Sequence, residues 1–199
     1  MDNVRNIYVV RHCQPSFSSS KKFCIGKLDI PLSHEGREQA KNLLSYFSDK
    51  KISSIYSSNL KRARETAEIL ANNAVVPIIK SEFSEIDMGK WDGLTFDEIK
   101  FLYPEEYKKR GEDFENYVVD GGESIKDCQS RAMSELYKTL NESSGNIIIV
   151  THAGVIRAML SSVEGISISE AFSYKIDYGS VKQFVVKHHE LQRSVIWNF

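Results

Sequence analysis

Short runs of β-branched and aromatic residues alternate along this chain with stretches whose apolar positions recur every three or four residues. The runs at 7–10, 52–56, 75–79, 146–150, 180–187 and 194–197 read as strands. Between them, Ser33 precedes Ala40, Leu43, Leu44 and Phe47 at helical spacing, and Ser58 precedes Leu60, Ala63, Ala67 and Leu70. Both serines read as helix N-caps. Thr95 with Glu98 forms a capping box, and Ser124 with Asp127 opens a long helix carrying Ile125, Cys128, Ala132, Leu136 and Leu140. Such alternation predicts an α/β fold of three layers, a mainly parallel sheet flanked by helices, with the last two strands as a C-terminal hairpin. No repeat or linker interrupts it, so residues 1–199 read as a single domain.

One stretch breaks the pattern. From 95 to 120, Phe96, Phe101, Tyr103, Tyr107, Phe114 and Tyr117 are mixed with charges and show no strand period. It reads as one or two short helices over the sheet edge, a lid or insertion that sets substrate choice. A solvated helical excursion with buried aromatics fits the same residues.

Composition narrows the partners. The chain has 199 residues, 41% hydrophobic and 27% charged, with a net charge of −1 and no basic stripe for nucleic acid or an anionic membrane. No apolar run approaches the ~18 residues of a membrane span, and no signal-peptide pattern opens the chain. A cytoplasmic protein acting on small molecules is expected. Cys13, Cys24 and Cys128 show neither CxxC spacing nor a disulfide framework, which suits a reducing compartment.

Chemistry concentrates at two strand ends. The first run ends in Arg11-His12, and the run from 146 ends in His152, followed by Gly154 and a helical pattern. In open α/β sheets ligands bind at the carboxyl ends of strands, so two imidazoles and an arginine there point to an anion. Arg62 falls in the first turn of the helix after the second strand, where anions collect. Arg64 points elsewhere and reads as a surface residue. Taken singly, His12 reads as a satisfied structural histidine, Glu85 as a surface acid and His152 as a capping residue; only their joint occurrence points to a site. His34, His188 and His189 read as solvated.

Six pieces then occur in a recognisable order: Val9-Val-Arg-His12; Gly26 to Gly36 running on to Gln39-Ala40; Ser58 to Ala67; Glu85 to Gly93, which contains Trp91-Asp-Gly; Gly122-Glu-Ser124; and Val150-Thr-His-Ala-Gly154. On these the chain resembles the histidine phosphatase superfamily, the phosphoglycerate mutase-like group, and within it the small bacterial phosphatases of the α-ribazole phosphatase type. The resemblance implies a phosphoglycerate mutase-like fold and a metal-independent, cofactor-free phosphomonoesterase acting on a small phosphorylated metabolite. It makes His12 the nucleophile, Glu85 the proton donor, Arg11, Arg62 and His152 the phosphate ligands, and Ser18, Ile25 and Gly26 substrate contacts. Exposed strand edges would allow a homodimer, though no residue pattern demands one. The chain departs from the family in having Cys13 for the usual Gly, Gln14-Pro15 for Glu-Thr or Glu-Ser, and Ser18 for a common Asn. Two alternatives stay open: mutase-type phosphoryl transfer, and a non-catalytic module that binds a phosphorylated ligand. A metal site on His12 and His152 is disfavoured by the flanking arginines, which repel a cation.

Overall fold

Side-chain alternation in the first strand decides which helices cover which side of the sheet. In the computed structural model, which describes residues 4–17, 22–187 and 190–197, the chain runs β1 (Arg5–Arg11), α1 (His34–Phe47), β2 (Ile52–Ser57), α2 (Lys61–Ala71) and β3 (Ile78–Ile79). It continues through α3 (Phe96–Leu102), α4 (Pro104–Glu112), α5 (Ile125–Glu142), β4 (Asn146–Thr151), α6 (Ala153–Glu164), α7 (Ile168–Ser173), β5 (Val181–Lys187) and β6 (Glu190–Trp197). Ile7 and Val9 enter one core with Ile147 and Ile149, against α5 and α6, whereas Tyr8 and Val10 enter a second core with Ile148 and Val150, against α1 and α2. Because both faces are covered, these strands are apolar without interruption.

The sheet order is β3-β2-β4-β1-β5-β6. The first four strands in that order are mutually parallel, while β5 runs antiparallel to β1 and pairs with β6 as an antiparallel ribbon. From β1 the chain crosses to β2 on the far side of β4; from β4 it crosses to β5 on the far side of β1. Connections therefore leave these two central neighbours in opposite directions, and the crevice at their carboxyl ends is where such a sheet receives a ligand.

Several predicted boundaries shift for identifiable reasons. Val75–Val76 stay outside β3, which pairs only through Ile78 and Ile79 at the sheet edge, directly after Pro77, which has no N–H to give a ladder. β6 begins at Glu190 rather than Ser194, so residues 190–193, expected in the hairpin loop, belong to the strand, while 188–189 lie outside the described residues. Ser33 caps α1 by accepting from the Gly36 N–H, and both capping boxes, Thr95/Glu98 and Ser124/Asp127, are formed. Ser58 is not an N-cap: α2 starts at Lys61 behind Leu60, and the Lys61 N–H is bound instead by Asp29 Oδ1 at 2.6 Å. A carboxylate distant in sequence has taken over the capping role, freeing the Ser58 hydroxyl for the crevice.

Candidate active site

Three strand ends converge in that crevice. The His12 N–H donates to the Thr151 carbonyl at 2.9 Å and the Ser58 N–H to the Val150 carbonyl at 3.0 Å, locking the exits of β1 and β2 to β4. His152, one residue beyond Thr151, therefore faces His12, with ring centroids 5.0 Å apart. α2 begins shortly after Ser58 and buries Arg62 to 1% exposure beside them.

Hydrogen bonds assign the histidine protons. His12 Nδ1 lies 2.8 Å from the Cys13 carbonyl, so Nδ1 carries the hydrogen and Nε2 keeps its lone pair. Burial first, then the charges of Arg62 and Arg11, hold the His12 pKa well below the ordinary imidazole value, against a smaller opposing effect of the Cys13 bond. The same order of causes, burial and then Arg62, lowers that of His152. His152 Nε2 lies 2.8 Å from Ser58 Oγ, which itself accepts the Leu60 N–H at 3.2 Å. With the serine hydrogen on Nε2, His152 Nδ1–H becomes a donor. Among the described residues, that nitrogen and Arg11 Nε have no hydrogen-bond partner, and both are buried. Buried orphan donors are rare; two at one sheet end, among arginines, suit an oxyanion.

The lowered values have a consequence for stability. The unfolded chain binds protons at these imidazoles below pH ~6.5, while the folded chain takes them up only at lower pH. Stability is therefore lost as pH falls below ~6.5 towards the folded pKa. The melting temperature of the wild type minus that of His12→Ala is expected to shrink between about pH 7.5 and about pH 5.5. A difference independent of pH would show that His12 is not held neutral.

Arg62 is fixed by a loop that is itself clamped. Its Nη1 donates to the Leu28 carbonyl at 2.7 Å and its Nη2 to the Gly26 carbonyl at 2.8 Å. The two carboxylate oxygens of Asp92 each accept a backbone N–H of this loop, from Gly26 and from Leu28, both at 2.8 Å. Gly26, expected to touch substrate, holds Arg62 through its carbonyl, and a Cβ there would press on the Ile86 carbonyl. Asp92 is thus the reason for the Trp91-Asp-Gly piece. Arg11 donates through Nη1 to the Ile176 carbonyl at 2.5 Å, and its guanidinium lies 3.8 Å above the Tyr178 ring. Tyr178, 5.5 Å from the His12 ring, was invisible to sequence reasoning because it arrives from the loop before β5 with no motif around it.

Glu85 sits on the N-terminus of α6, accepting from the Gly154 N–H at 3.2 Å and from its neighbour Ile86 N–H at 3.0 Å. Arg131 of α5 braces this loop. It binds both oxygens of Glu123, at 2.9 and 2.5 Å, and donates to the carbonyls of Glu82 and Glu85. Glu123 also accepts the Asp87 N–H at 2.9 Å, which accounts for the Gly122-Glu-Ser124 piece. A Cβ at Gly154 would strike Glu85 Oε1 and approach Ile86 Cδ1 to 2.7 Å, so these side-chain ends would have to move. Gly154→Ala should displace the carboxylate and lower kcat on alkyl phosphates ~10–10²-fold. The kcat/KM for p-nitrophenyl phosphate, set by the first step and with a leaving group that departs without a proton, should fall less than that for an alkyl phosphate; an equal loss of kcat/KM on both would remove Glu85 as proton donor.

The remaining residues fall as follows. Cys13 is buried, its N–H donates to Thr66 Oγ1 at 3.1 Å, and burial pushes its thiol up to about 12, so the thiol is protonated and unreactive near neutral pH. Its Cβ and sulfur are absorbed by the core under α1 rather than by the crevice. Arg64 and His34 are exposed. Ser18, His188 and His189 lie outside the described residues.

Above the crevice opens a cavity of about 870 Å³ with Arg11, Ile25 and Glu85 on its wall. The 95–120 stretch forms α3 and α4 as expected and supplies Phe96, Tyr107, Arg110 and Phe114 to the outer side of the same cavity. Tyr103 and Tyr117 of the same stretch pack instead against Trp91 and Ile99, as aromatics buried under a helical excursion do, and Phe101 is 84% exposed.

Comparison with known proteins agrees with this geometry. The family profile of the histidine phosphatase superfamily (branch 1) matches residues 7–199. Phosphoserine phosphatase 1 of Hydrogenobacter thermophilus is 31% identical over 192 residues, covering 96% of this chain and 89% of that protein. The α-ribazole phosphatase of Shigella flexneri superposes with a TM-score of 0.86 at 22% identity, over 96% of this chain and 95% of its own. The mycobacterial glucosyl-3-phosphoglycerate phosphatase superposes with a TM-score of 0.84 at 23% identity, over 98% and 99%. Among the described residues no helix is long and apolar enough to cross a membrane.

Proposed function

This chain belongs to the histidine phosphatase superfamily and is a phosphoric monoester hydrolase, and from that premise we propose that it cleaves a small phosphorylated metabolite through a phosphohistidine on His12, without a metal. The observation that carries the reading is the His12 ring: neutral, with its hydrogen held on Nδ1 by the Cys13 carbonyl and Nε2 left nucleophilic. In the first step Nε2 attacks phosphorus, the P–O bond to the leaving group breaks, and a protonated Glu85 gives its hydrogen to the departing oxygen. In the second, water attacks the phosphohistidine, Glu85 takes the water proton, and inorganic phosphate leaves. Arg11, Arg62 and His152 hold the equatorial oxygens, whose charge grows in both transition states. Arg131 and Glu123 position Glu85, and Asp92 positions Arg62. α-Ribazole 5′-phosphate is one metabolite of suitable size.

The test is release of inorganic phosphate from an aryl phosphate by chelator-treated protein, with acid-labile, base-stable labelled enzyme trapped during turnover. Loss of activity on chelation would overturn the metal-free scheme. Given 3-phosphoglycerate, a hydrolase releases phosphate, whereas interconversion of phosphoglycerates would assign the mutase reading.

A further inference from the structure

The cavity above the crevice is larger and more aromatic than a phosphoryl group requires. Pockets of ~300–1,000 Å³ hold drug-sized ligands, so at about 870 Å³ this one would be mostly unfilled by a three-carbon phosphoester. Among the described residues Glu85 is the only acid on its wall, against Arg11, Lys22, Arg110 and Arg157. Glu85 lies at the sheet end with Arg11, whereas Arg110 belongs to α4, in the lid.

Arg110, like Arg11 at the sheet end, keeps an unmatched guanidinium nitrogen among the described residues. Its guanidinium lies 5.4 Å from the Phe114 ring and 5.9 Å from the Trp91 ring, and its Nη1 is buried without a hydrogen-bond partner. Nearby cations are matched: Lys90 pairs with Glu106 at 2.8 Å, Arg131 with Glu123, and Arg157 Nε donates to the Tyr174 carbonyl at 2.9 Å. Aromatic faces offset only part of what a desolvated cation loses. Among the described residues no acid pairs with this arginine, which is held against two rings on the wall of a ligand cavity and lacks an anion.

Resting on the phosphatase reading for where the ester sits, we propose that Arg110 forms a second anion subsite, selecting phosphomonoesters whose leaving group combines an apolar, ring-bearing body with a second anionic group. The body packs along Trp91 and Phe114, and the anion takes the free guanidinium hydrogens. α-Ribazole 5′-phosphate has the ring system but one anionic group; it would leave Arg110 unmatched and turn over more slowly than a doubly anionic aryl ester.

Calorimetry separates this from the catalytic reading, because the probes are non-hydrolysable: naphthylmethylphosphonate, its ring-carboxylated isomers, and isomers with a second ring phosphonate. The readout is the ratio of Kd without the added anion to Kd with it, taken on each protein separately so that general losses cancel. For at least one ring position the wild type is expected to show a ratio of about 10 or more. The ratio should collapse towards one in Arg110→Gln and be largely kept in Arg110→Lys. Whichever anion gives the larger ratio identifies the group as carboxylate or phosphate. A wild-type ratio near one at every position, or an undiminished ratio in Arg110→Gln, overturns the proposal. Hydrolysis of naphthyl phosphate, run alongside, tells the two failures apart: turnover with a ratio of one sinks the subsite alone, whereas a sound ratio without turnover sinks the phosphatase reading alone.

Discussion

His12→Ala is expected to lower kcat/KM for p-nitrophenyl phosphate by ~10⁴-fold or more and to abolish labelled phosphoenzyme. The size follows from the lack of a substitute. His152 is the other imidazole in the crevice, but its Nε2 is engaged by Ser58, and its ring is placed to donate rather than attack. Glu85 is tied to two backbone N–H groups, and the Cys13 thiol, pushed up to about 12 by burial, carries no useful thiolate. Removing the ring leaves positioned cations but no nucleophile, so what remains is binding and electrostatic help to water. Because His12 is only 4% exposed, the variant should also lose some stability to the cavity left behind, which a melting curve separates from the catalytic loss. Equal rates in the two proteins would remove His12 as nucleophile and with it the phosphohistidine.

The second large effect concerns Arg62. Arg62→Ala should cost ~10²–10³ in kcat, the usual loss for one preorganised group facing developing charge. It should also destabilise the fold by about 2–4 kcal/mol, since the carbonyls of Gly26 and Leu28 each lose a buried donor. Arg62→Lys separates the two roles. Lysine restores a positive charge but not the fork that spans two carbonyls while still facing the crevice. It should recover some stability and less than a tenth of the lost rate. If lysine restored full activity, bidentate geometry would be irrelevant and only charge would matter.

How much of this was legible beforehand differs by element. The strands β1 and β4 were readable because both faces are buried and the apolar run is unbroken. The helices α1, α3 and α5 were readable because their caps are local, closed by residues three apart. α2 was readable in period but not at its start: its first N–H is satisfied by Asp29, a tertiary contact that no local pattern encodes. β3 was overextended because Pro77 has no N–H to give a ladder, so pairing with β2 begins only at Ile78, and α7 lacked enough turns to show a period. In the crevice, Arg11, His12, Arg62 and His152 were predictable from strand ends and a helix start. Ser18 lies outside the described residues. That the Gly26 carbonyl anchors Arg62 was not legible, because it depends on which side chain folds over it.

Local period and residues at short spacing were enough to give the layers, the strand ends that carry charge and imidazole, and the family. Long-range packing decided which nitrogen of His12 is free, that burial and two arginines keep it neutral, that Tyr178 lies under Arg11, and that Arg110 Nη1 of α4 has no hydrogen-bond partner among the described residues. Those properties belong to distances between segments far apart in the chain. Desolvation and pairing, which set protonation and affinity, exist only once such segments meet.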